Sequence, residues 1–497
     1  MKKTAAVLLM MIVMLAGCAA AEPLRVTGYE TESVTRSWEN NLFFSRMEAL
    51  TGVAVQAAGI AEEKDYLALL ESMEKGEDKT DVLFKANLTR EQEIRLLESG
   101  ALIDLAPLID AHMPNLSALL AAHPQWKEII SLDDGRIASL PLLNEHERQA
   151  ILWINRAWLE NLGLSMPQTL EELTAALEQM IAGDPNRNHA QDETAADLLG
   201  VYEMRWLLPY FGIVADDYHL ARGEDGTYVF APELPAYRAF IELLKQWNDK
   251  GILGSDAFTG VHSTAILSAG DEKDTTVKSG LILSMTPYTH IPAASTADFE
   301  PLLIAGPDGS IRWRDLLGEV WTGCFAVSAH CEDPAAALKW VDALYGEEGA
   351  LLAYGGVEGE DYQFSGNGKW SFITDSVRDI NAIRSEVLMY TGVAMPALYP
   401  AEFIFSVDSA LDQHVFSASE KVRAVSEQVT PAYALSMADQ EKANALAAQL
   451  GGMVDRGIAR FATGEVELTD ENYEAWLEEL RGAGSAELTA LFQQAQK

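Results

Sequence analysis

The N-terminal part of this chain predicts an α/β fold built on a parallel sheet. Short apolar runs at residues 24–27, 53–57 and 81–84 alternate with amphipathic segments, one of which places Phe43, Met47 and Leu50 at helical spacing. Glycines such as Gly52 follow these segments, as expected at helix ends. Strands that alternate with helices pair in parallel through crossover connections, and such sheets bind ligands at the carboxyl ends of their strands.

Capping patterns predict where several helices begin. Thr89 is followed three residues later by Gln92, and Thr169 by Glu172, which is the spacing of a capping box. Asp333 followed by a proline predicts another helix start.

Composition limits the function classes further. The chain has 497 residues, a net charge of −39 and 48% apolar residues. At roughly 150 residues per domain, this length predicts about three domains or lobes. The apolar share excludes general disorder, and the strong negative charge opposes nucleic-acid binding, which needs a basic surface.

The front of the chain has the features of an export signal. Lys2 and Lys3 precede an apolar stretch at residues 5–15, which is shorter than the roughly 20 residues of a membrane span. The stretch ends in Leu15-Ala16-Gly17-Cys18, which resembles a bacterial lipobox. We therefore expect residues 1–17 to be a signal peptide and Cys18 to carry the lipid. The alternative is an ordinary secretory signal that is cleaved among residues 19–21, and either reading predicts export.

Cysteine and tryptophan positions indicate a conventional core. After Cys18 only Cys324 and Cys331 remain, too few for a disulfide scaffold, so both are expected to be buried thiols. Several tryptophans lie in apolar periodic stripes and are assigned to the core: Trp153, Trp158, Trp247, Trp340 and Trp476.

Several segments together resemble the extracellular solute-binding proteins of carbohydrate ABC importers. The resemblance is to the large lipoprotein branch related to maltodextrin- and alginate-oligosaccharide-binding proteins. It is carried by residues 100–105 (GALIDL), 134–136 (DGR) with 140–141 (LP), 152–159 (LWINRAWL), 333–349, 354–359 (YGGVEG) and 473–495. No single segment is diagnostic, but their order and separation cover nearly the whole chain after the signal.

This resemblance implies two α/β lobes joined by a hinge, with the ligand in the cleft between them. The expected first lobe comprises residues 22–143 plus 280–327, and the second comprises 144–279 plus 328–497 with extra C-terminal helices. The implied partners are an oligosaccharide and the transmembrane subunits of an ABC permease. The protein is expected to be a monomer in the cell envelope, held at the outer face of the cytoplasmic membrane by its lipid anchor alone.

One loop has metal-ligand spacing. Side chains at alternate positions, a backbone carbonyl and two adjacent carboxylates are arranged to surround a hard cation: Asp184, Asn186, Asn188, Ala190, Asp192 and Glu193. The loop is not an EF-hand, because His189 stands where that motif needs glycine. The family resembled has a calcium loop of this spacing, in which Arg187 and His189 here replace the usual glycines. The alternative is a polar turn without metal.

Candidate sugar contacts lie after predicted strands, at the expected hinge and at the start of a second-lobe helix. Sugar sites stack aromatic rings against C–H faces and surround them with polar groups. The candidates are Trp38, Glu39, Lys85, Asn87, Glu145, His146, Tyr202, Trp206, Tyr288 and Trp321. Core packing is the competing interpretation for each aromatic residue, and a solvated linker is the competing interpretation for Glu145 and His146.

Catalytic motifs are missing from the sequence. There is no Gly-x-Ser-x-Gly, His-Glu-x-x-His or phosphate-loop pattern. A glycosidase needs only two carboxylates, which an acidic chain supplies easily. The sequence therefore predicts a binding protein. The alternatives are a glycan-active enzyme, or the same fold binding a non-sugar solute or serving a sensor kinase.

Overall fold

The structure is a computed structural model that describes residues 22–31, 37–132, 134–223, 225–254, 256–258, 276–315, 318–429, 435 and 437–495. The expected signal peptide and Cys18 lie outside these ranges, so both stay predictions. None of the helices in the described ranges combines the length and the apolar character that a bilayer span requires.

The strands, in chain order, are β1 Leu24–Tyr29, β2 Val55–Ile60, β3 Val82–Phe84, β4 Leu140–Leu143, β5 Ile151–Asn155, β6 Thr194–Asp197, β7 Leu220–Arg222, β8 Tyr228–Phe230, β9 Ser279–Ser284, β10 Phe299–Pro301, β11 Trp313–Arg314, β12 Val320–Val327, β13 Tyr362–Phe364, β14 Trp370–Phe372, β15 Ala397–Leu398 and β16 Ser426–Glu427.

The helices are α1 Leu42–Thr51, α2 Glu63–Glu74, α3 Arg90–Glu98, α4 Ala106–His112, α5 Pro114–Ala122, α6 Pro124–Ile130, α7 Arg156–Asn161, α8 Leu170–Ala182, α9 Gly200–Met204, α10 Pro235–Asp249, α11 Pro334–Asp342, α12 Glu347–Tyr354, α13 Ile380–Glu386, α14 Ala401–Phe405, α15 Ala410–Arg423, α16 Met437–Ala462, α17 Asp470–Gly482 and α18 Ser485–Ala495.

The first lobe is built on a six-stranded sheet in the order β15-β4-β12-β3-β1-β2. Strand β1 is parallel to β2 and β3, as predicted, and β12 runs antiparallel between β3 and β4. Helix α3 begins with the predicted capping box, in which Thr89 accepts from the Gln92 amide and the Gln92 side chain accepts from the Thr89 amide. Strand β12 is irregular between Trp321 and Phe325. Gly323 there has a φ of 76°, and a Cβ would lie 2.1 Å from the Leu88 carbonyl oxygen, so only glycine fits.

The second lobe is built on a four-stranded sheet in the order β10-β5-β9-β6. Helix α8 is capped by Thr169, as predicted, and packs its apolar face into the core of this lobe. The long helix α16 lies against α10 on one side and beside α3 of the first lobe on another, so the lobes meet there. All five tryptophans assigned to the core are buried, and so are Cys324 and Cys331.

Two of the expected lobe boundaries are wrong. Strands β9 and β10 belong to the second sheet, so residues 279–301 are part of the second lobe rather than the first. Helices α11 and α12 and strand β15 pack in the first lobe rather than the second, because Trp340, Tyr354 and Ala397 bury their side chains in its core. Within the described residues, the chain therefore passes between the lobes at residues 144–149, between Trp313 and Val320, and at residues 399–417.

Between α12 and β15 the chain makes a long excursion, residues 355–396, that contains the β13–β14 hairpin and α13. Asp361 holds this excursion to helix α1. Its fully buried carboxylate accepts hydrogen bonds from Arg46 at 2.6 Å, from the Val357 amide at 2.7 Å and from Arg378. Burial by itself raises the pKa of Asp361, but the bonds from Arg378, Val357 and Arg46 bring the pKa below its ordinary value.

We expect Asp361→Asn to reduce the free energy of unfolding by about 3–5 kcal/mol, because two arginines then lose a buried counter-charge. Glu360→Gln is the matched control. Glu360 pairs with the same Arg46 at 2.9 Å but is largely exposed, so its loss is expected to cost about 1 kcal/mol or less. Urea unfolding at pH 7 measures both, and equal losses would contradict the role of Asp361.

The lowered pKa also fixes the sign of a pH effect. Asp361 contributes stability above its unfolded pKa of roughly 3.9, and this contribution is lost as the pH falls through the lower folded value. Acidification from pH 5 to pH 3 should therefore destabilise the native sequence more than Asp361→Asn, as measured by urea unfolding at each pH.

Candidate functional site

A cavity of about 540 Å³ lies where the two lobes and the crossing segments meet. Leu142 and Trp321 of the first sheet line it, as do residues of the first crossing and Tyr288 of the second lobe. Strand β4 and its parallel neighbour β15 end at this cavity, so the rule that ligands bind at carboxyl ends of strands holds for these strands. The volume is within the usual range for small-molecule sites.

Aromatic side chains supply much of the cavity wall: Tyr288, Trp321, Tyr354, Trp370, Phe372, Tyr390, Tyr399 and Phe416. The rings of Tyr354 and Tyr390 are stacked, with centroids 5.0 Å apart and planes 13° apart. Tyr399 meets Tyr354 edge-on at 5.4 Å. These contacts fix the orientation of the rings in the cavity wall.

A polar network crosses the cavity wall at Arg148. The Arg148 Nη1 group donates to the Tyr288 hydroxyl at 3.2 Å, and that hydroxyl donates to Asp412 Oδ1 at 3.3 Å. Arg148 also lies 3.5 Å from Asp412 and 4.8 Å above the ring of Phe416. Burial by itself lowers the pKa of Arg148, but Tyr288, Tyr399 and Asp412 raise it above its ordinary value, so the guanidinium stays charged.

Helix α15 presents one face to the first crossing. Asp412, Phe416 and Glu420 recur every four residues, which places them on one side of the helix. Glu420 lies 3.3 Å from His146 Nδ1, while Asp412 and Phe416 contact Arg148. His146 and Arg148 of the first crossing, which both line the cavity, thus contact helix α15.

Glu147 is the other carboxylate of the cavity. It accepts from the Asn144 side chain at 2.6 Å and from the Arg148 amide at 3.0 Å. Burial raises the pKa of Glu147, and these two hydrogen bonds offset part of that rise. The site therefore offers hydroxyl, carboxylate, amide and guanidinium groups beside aromatic faces.

Of the candidate contacts, His146, Tyr288 and Trp321 line this cavity. Glu145 lies beside it but is directed at His123, 3.7 Å away. Asn87 and Glu39 are exposed without lining the cavity, and Glu39 instead borders a groove beside strands β1 and β2.

Lys85 and Trp38 are wrong as ligand contacts in this structure. Lys85 is fully buried and donates to Glu30 and to two backbone carbonyls. Trp38 is 3% exposed, packs against Phe44 and Phe84, and donates its Nε1–H to Glu30 at 3.1 Å. Both side chains close the carboxyl ends of β1 and β3 instead of facing a ligand.

Tyr202 and Trp206 lie in the second lobe away from the cavity. Trp206 is buried against Trp313, with Arg314 above its ring at 5.2 Å, so its core interpretation is correct. Tyr202 is 41% exposed with Arg205 over its ring at 5.4 Å.

Sequence reasoning missed most of the cavity: Arg148, Tyr354, Trp370, Phe372, Tyr390, Tyr399, Asp412 and Phe416. Arg148 follows the predicted Glu145 and His146 at the first crossing, so its position in the sequence is a signal for the site. The excursion residues lack such a signal, because tertiary packing alone brings them to the site.

The predicted calcium loop is a tightly bonded turn in this structure. Asp184 accepts from the amides of Asn188 and His189 at 3.0 and 3.1 Å, and the Asn188 side chain donates to Asp192 at 2.9 Å. Arg187 and His189 have positive φ values of 59° and 63°, at the positions where the family resembled has glycines.

The loop's electrostatics are mixed with respect to a cation. Lys278 lies 3.1 Å from Asp192, where it supplies a positive charge. Glu193 Oε1 is buried and has no hydrogen-bond partner among the described residues. Within the same ranges, no three His, Cys, Asp or Glu side chains are gathered closely enough to hold a metal ion.

The two lobes, the three crossings and the cavity between them make up a fold that this chain shares with solved ABC-transporter solute-binding proteins. The chain is 25% identical, over 393 residues, to the fructooligosaccharide ABC transporter substrate-binding protein FusA of Streptococcus pneumoniae, covering 73% of this chain and 72% of FusA. No family model matches the sequence.

Solved structures share the fold over almost the whole chain. FusA with kestose, and a FusA EF-hand mutant with fructo-nystose, have a TM-score of 0.74 at 21% identity, with 95% of this chain and 98% of FusA covered. A solute-binding protein of Bifidobacterium longum infantis, described as HMO-binding, has a TM-score of 0.80 at 20% identity, covering 96% of this chain and 98% of that one. The alginate-binding protein AlgQ2 without calcium has a TM-score of 0.68 at 18% identity, covering 96% and 98%.

Proposed function

We propose that this protein captures an oligosaccharide in the cavity between its lobes and delivers it to an ABC permease. The observation that carries the proposal is a cavity of sugar-binding chemistry at the junction of both lobes, with aromatic faces beside the Arg148–Tyr288–Asp412 network. Relatives of the same fold that bind kestose, HMO and alginate support the choice of ligand class.

The mechanism is selection of a closed form by the ligand. A sugar that contacts Trp321 of the first lobe and Tyr288 of the second gains both contacts only when the lobes are together. The closed form is stabilised by this difference in contacts, and the permease then distinguishes the closed protein from the open one. On binding, the hydroxyl groups of the sugar replace their hydrogen bonds to water with hydrogen bonds to Arg148, Asp412 and Glu147.

We expect kestose, or another short neutral oligosaccharide from a glycan panel, to raise the thermal unfolding temperature and to quench tryptophan fluorescence through Trp321 and Trp370. Tyr288→Phe should weaken binding by about three- to tenfold, because one hydrogen bond contributes roughly 0.5–1.5 kcal/mol. Isothermal titration calorimetry measures the affinity.

Tyr202→Phe is the matched control, since it removes the same hydroxyl outside the cavity and should leave the affinity unchanged. Equal affinities for the two variants, or a weaker affinity for Tyr202→Phe alone, would place the sugar elsewhere.

A glycan-active enzyme remains the rival function, because Glu147 and Asp412 are two carboxylates in one cavity. Both carboxylates already accept hydrogen bonds from protein groups. A binding protein returns the bound oligosaccharide intact, whereas accumulation of new reducing ends over time would establish catalysis. The bound sugar is therefore recovered and its length measured in the same experiments.

We also propose that the loop at residues 184–193 binds Ca²⁺ as a structural brace. Its metal-ligand atoms would be oxygens, which Ca²⁺ prefers. The buried Glu193 Oε1 lacks a hydrogen-bond partner among the described residues, as expected for an oxygen that coordinates a cation. Asp184, Asn186, Asn188, Asp192 and Glu193 would hold the ion with the Ala190 carbonyl. The EF-hand mutant of FusA and the calcium-free AlgQ2 support a calcium loop in this fold.

Addition of CaCl₂ after EGTA treatment should raise the unfolding temperature of the native sequence, because the ion binds the folded loop. Glu193→Gln should reduce or abolish this rise, because the ion loses a charged ligand. Glu171→Gln, at the exposed start of α8, is the control and should retain the rise. An unchanged rise in Glu193→Gln would exclude that carboxylate as a calcium ligand.

Finally, we propose that the protein acts outside the cytoplasmic membrane and is anchored through a lipid on Cys18. The lipobox-like sequence and the similarity to an ABC transporter substrate-binding protein support this location. Cells given an alkyne fatty acid should label the native protein but not Cys18→Ser. Labelling of both proteins would contradict lipidation at Cys18.

A further inference from the structure

The chain itself covers the carboxyl ends of β1 and β3, where sheets of this kind commonly bind ligands. Lys85, directly after β3, lies 3.0 and 3.2 Å from the two oxygens of Glu30, directly after β1. Its Nζ also donates to the carbonyls of Met389 at 3.1 Å and Thr391 at 2.7 Å. A buried ammonium thus fastens a distant part of the chain onto this edge of the sheet.

The fastened part is residues 385–395, which we call the covering segment. Asn41, the N-cap of α1, donates its side-chain amide to the Ser385 carbonyl at 3.1 Å. The Met389 amide donates to the Ala353 carbonyl at 3.1 Å. Leu388 and Met389 are fully buried, and Val393 and Met395 are also buried, so these side chains anchor the segment in the core.

The covering segment is also a wall of the sugar cavity. Tyr390, Gly392 and Ala394 line the cavity, and helix α13 just before them contributes Ile380 and Arg384. None of the residues that line this cavity comes from β1, β2, β3 or the described parts of the loops that follow them. Beyond the wall lies the buried Lys85–Glu30 pair, so the described residues leave a glycan chain no route along that edge.

We propose that the cavity is closed on this side and therefore holds one terminus of a glycan chain, not an internal stretch. The inference rests on the proposed oligosaccharide function and deepens it by naming the part of the molecule that is recognised. An internal stretch needs an exit at both ends of the site, and the covering segment removes one of them. The last sugar unit lies against Tyr390, with the rest of the chain leading away from the wall.

Linear and cyclic forms of the same sugar test this directly. Nystose is compared with cycloinulohexaose, and maltoheptaose with cyclomaltoheptaose, by isothermal titration calorimetry. We expect a linear member to bind and its cyclic partner to bind at least a hundredfold more weakly, because a ring has no terminus. A polydisperse fructan should bind one protein per chain regardless of its length.

The outcomes separate the two proposals. Equal binding of a linear sugar and its cyclic partner, or several proteins per fructan chain, overturns terminus recognition and leaves oligosaccharide binding intact. Absence of binding by every linear sugar in a broad glycan panel overturns the proposed function and this inference with it.

A second measurement tests the closure without any sugar. Lys85→Met combined with Glu30→Gln removes the buried charges together, and Asn41→Asp keeps the helix cap while removing the donor to Ser385. Hydrogen exchange of backbone amides in residues 385–395 should accelerate at least tenfold in the double variant and by a smaller factor in Asn41→Asp. Exposed Lys339→Met is the control. Unchanged exchange in both test variants shows that these bonds do not hold the wall, and overturns the inference.

Discussion

Burial of the Lys85 ammonium constrains the organisation of the whole cleft. An ammonium without solvent needs an opposite charge and acceptors for its remaining protons, and these come from Glu30 and from the carbonyls of Met389 and Thr391. The excursion must therefore return to this point before β15 joins the sheet. The covering segment lies over the carboxyl ends of β1 and β3, so the cavity remains open beside β4 and β15.

The same constraint connects the binding surface to the hinge. The cavity wall includes parts of the excursion, of the first crossing and of helix α15. Helix α15 follows α14 in the third crossing. Arg148 and His146 of the first crossing contact Asp412, Phe416 and Glu420 of that helix. Relative movement of the lobes would therefore change the positions of groups that line the cavity, which is what coupling of ligand binding to closure requires.

Sequence patterns predicted the features that depend on local chemistry. The capping box at Thr89, the Asp333 cap followed by a proline and the alternation of strands with helices are encoded within a few residues, and the structure has all three. The family resemblance correctly implied the two-lobed fold. His146, Tyr288 and Trp321, which line the cavity, stand next to these recognisable elements.

The errors arose where tertiary contacts override local pattern. Lys85 and Trp38 stand in loops after strands, as ligand contacts often do. A segment about three hundred positions away covers Lys85, and both side chains donate hydrogen bonds to Glu30. The lobe boundaries failed for a related reason. The sequences of β9 and β10 are apolar runs that do not indicate which sheet they join. Their pairing with β5 in the structure places them in the second sheet.

The position of the excursion in the chain has a consequence for how such a protein diversifies. It leaves the first lobe after α12 and re-enters at β15, so both of its ends are fixed by the same rigid body. Insertions or deletions within it would change the cavity wall without changing the order of strands in either sheet. Proteins that share these two lobes can therefore acquire different ligands through changes in the excursion alone.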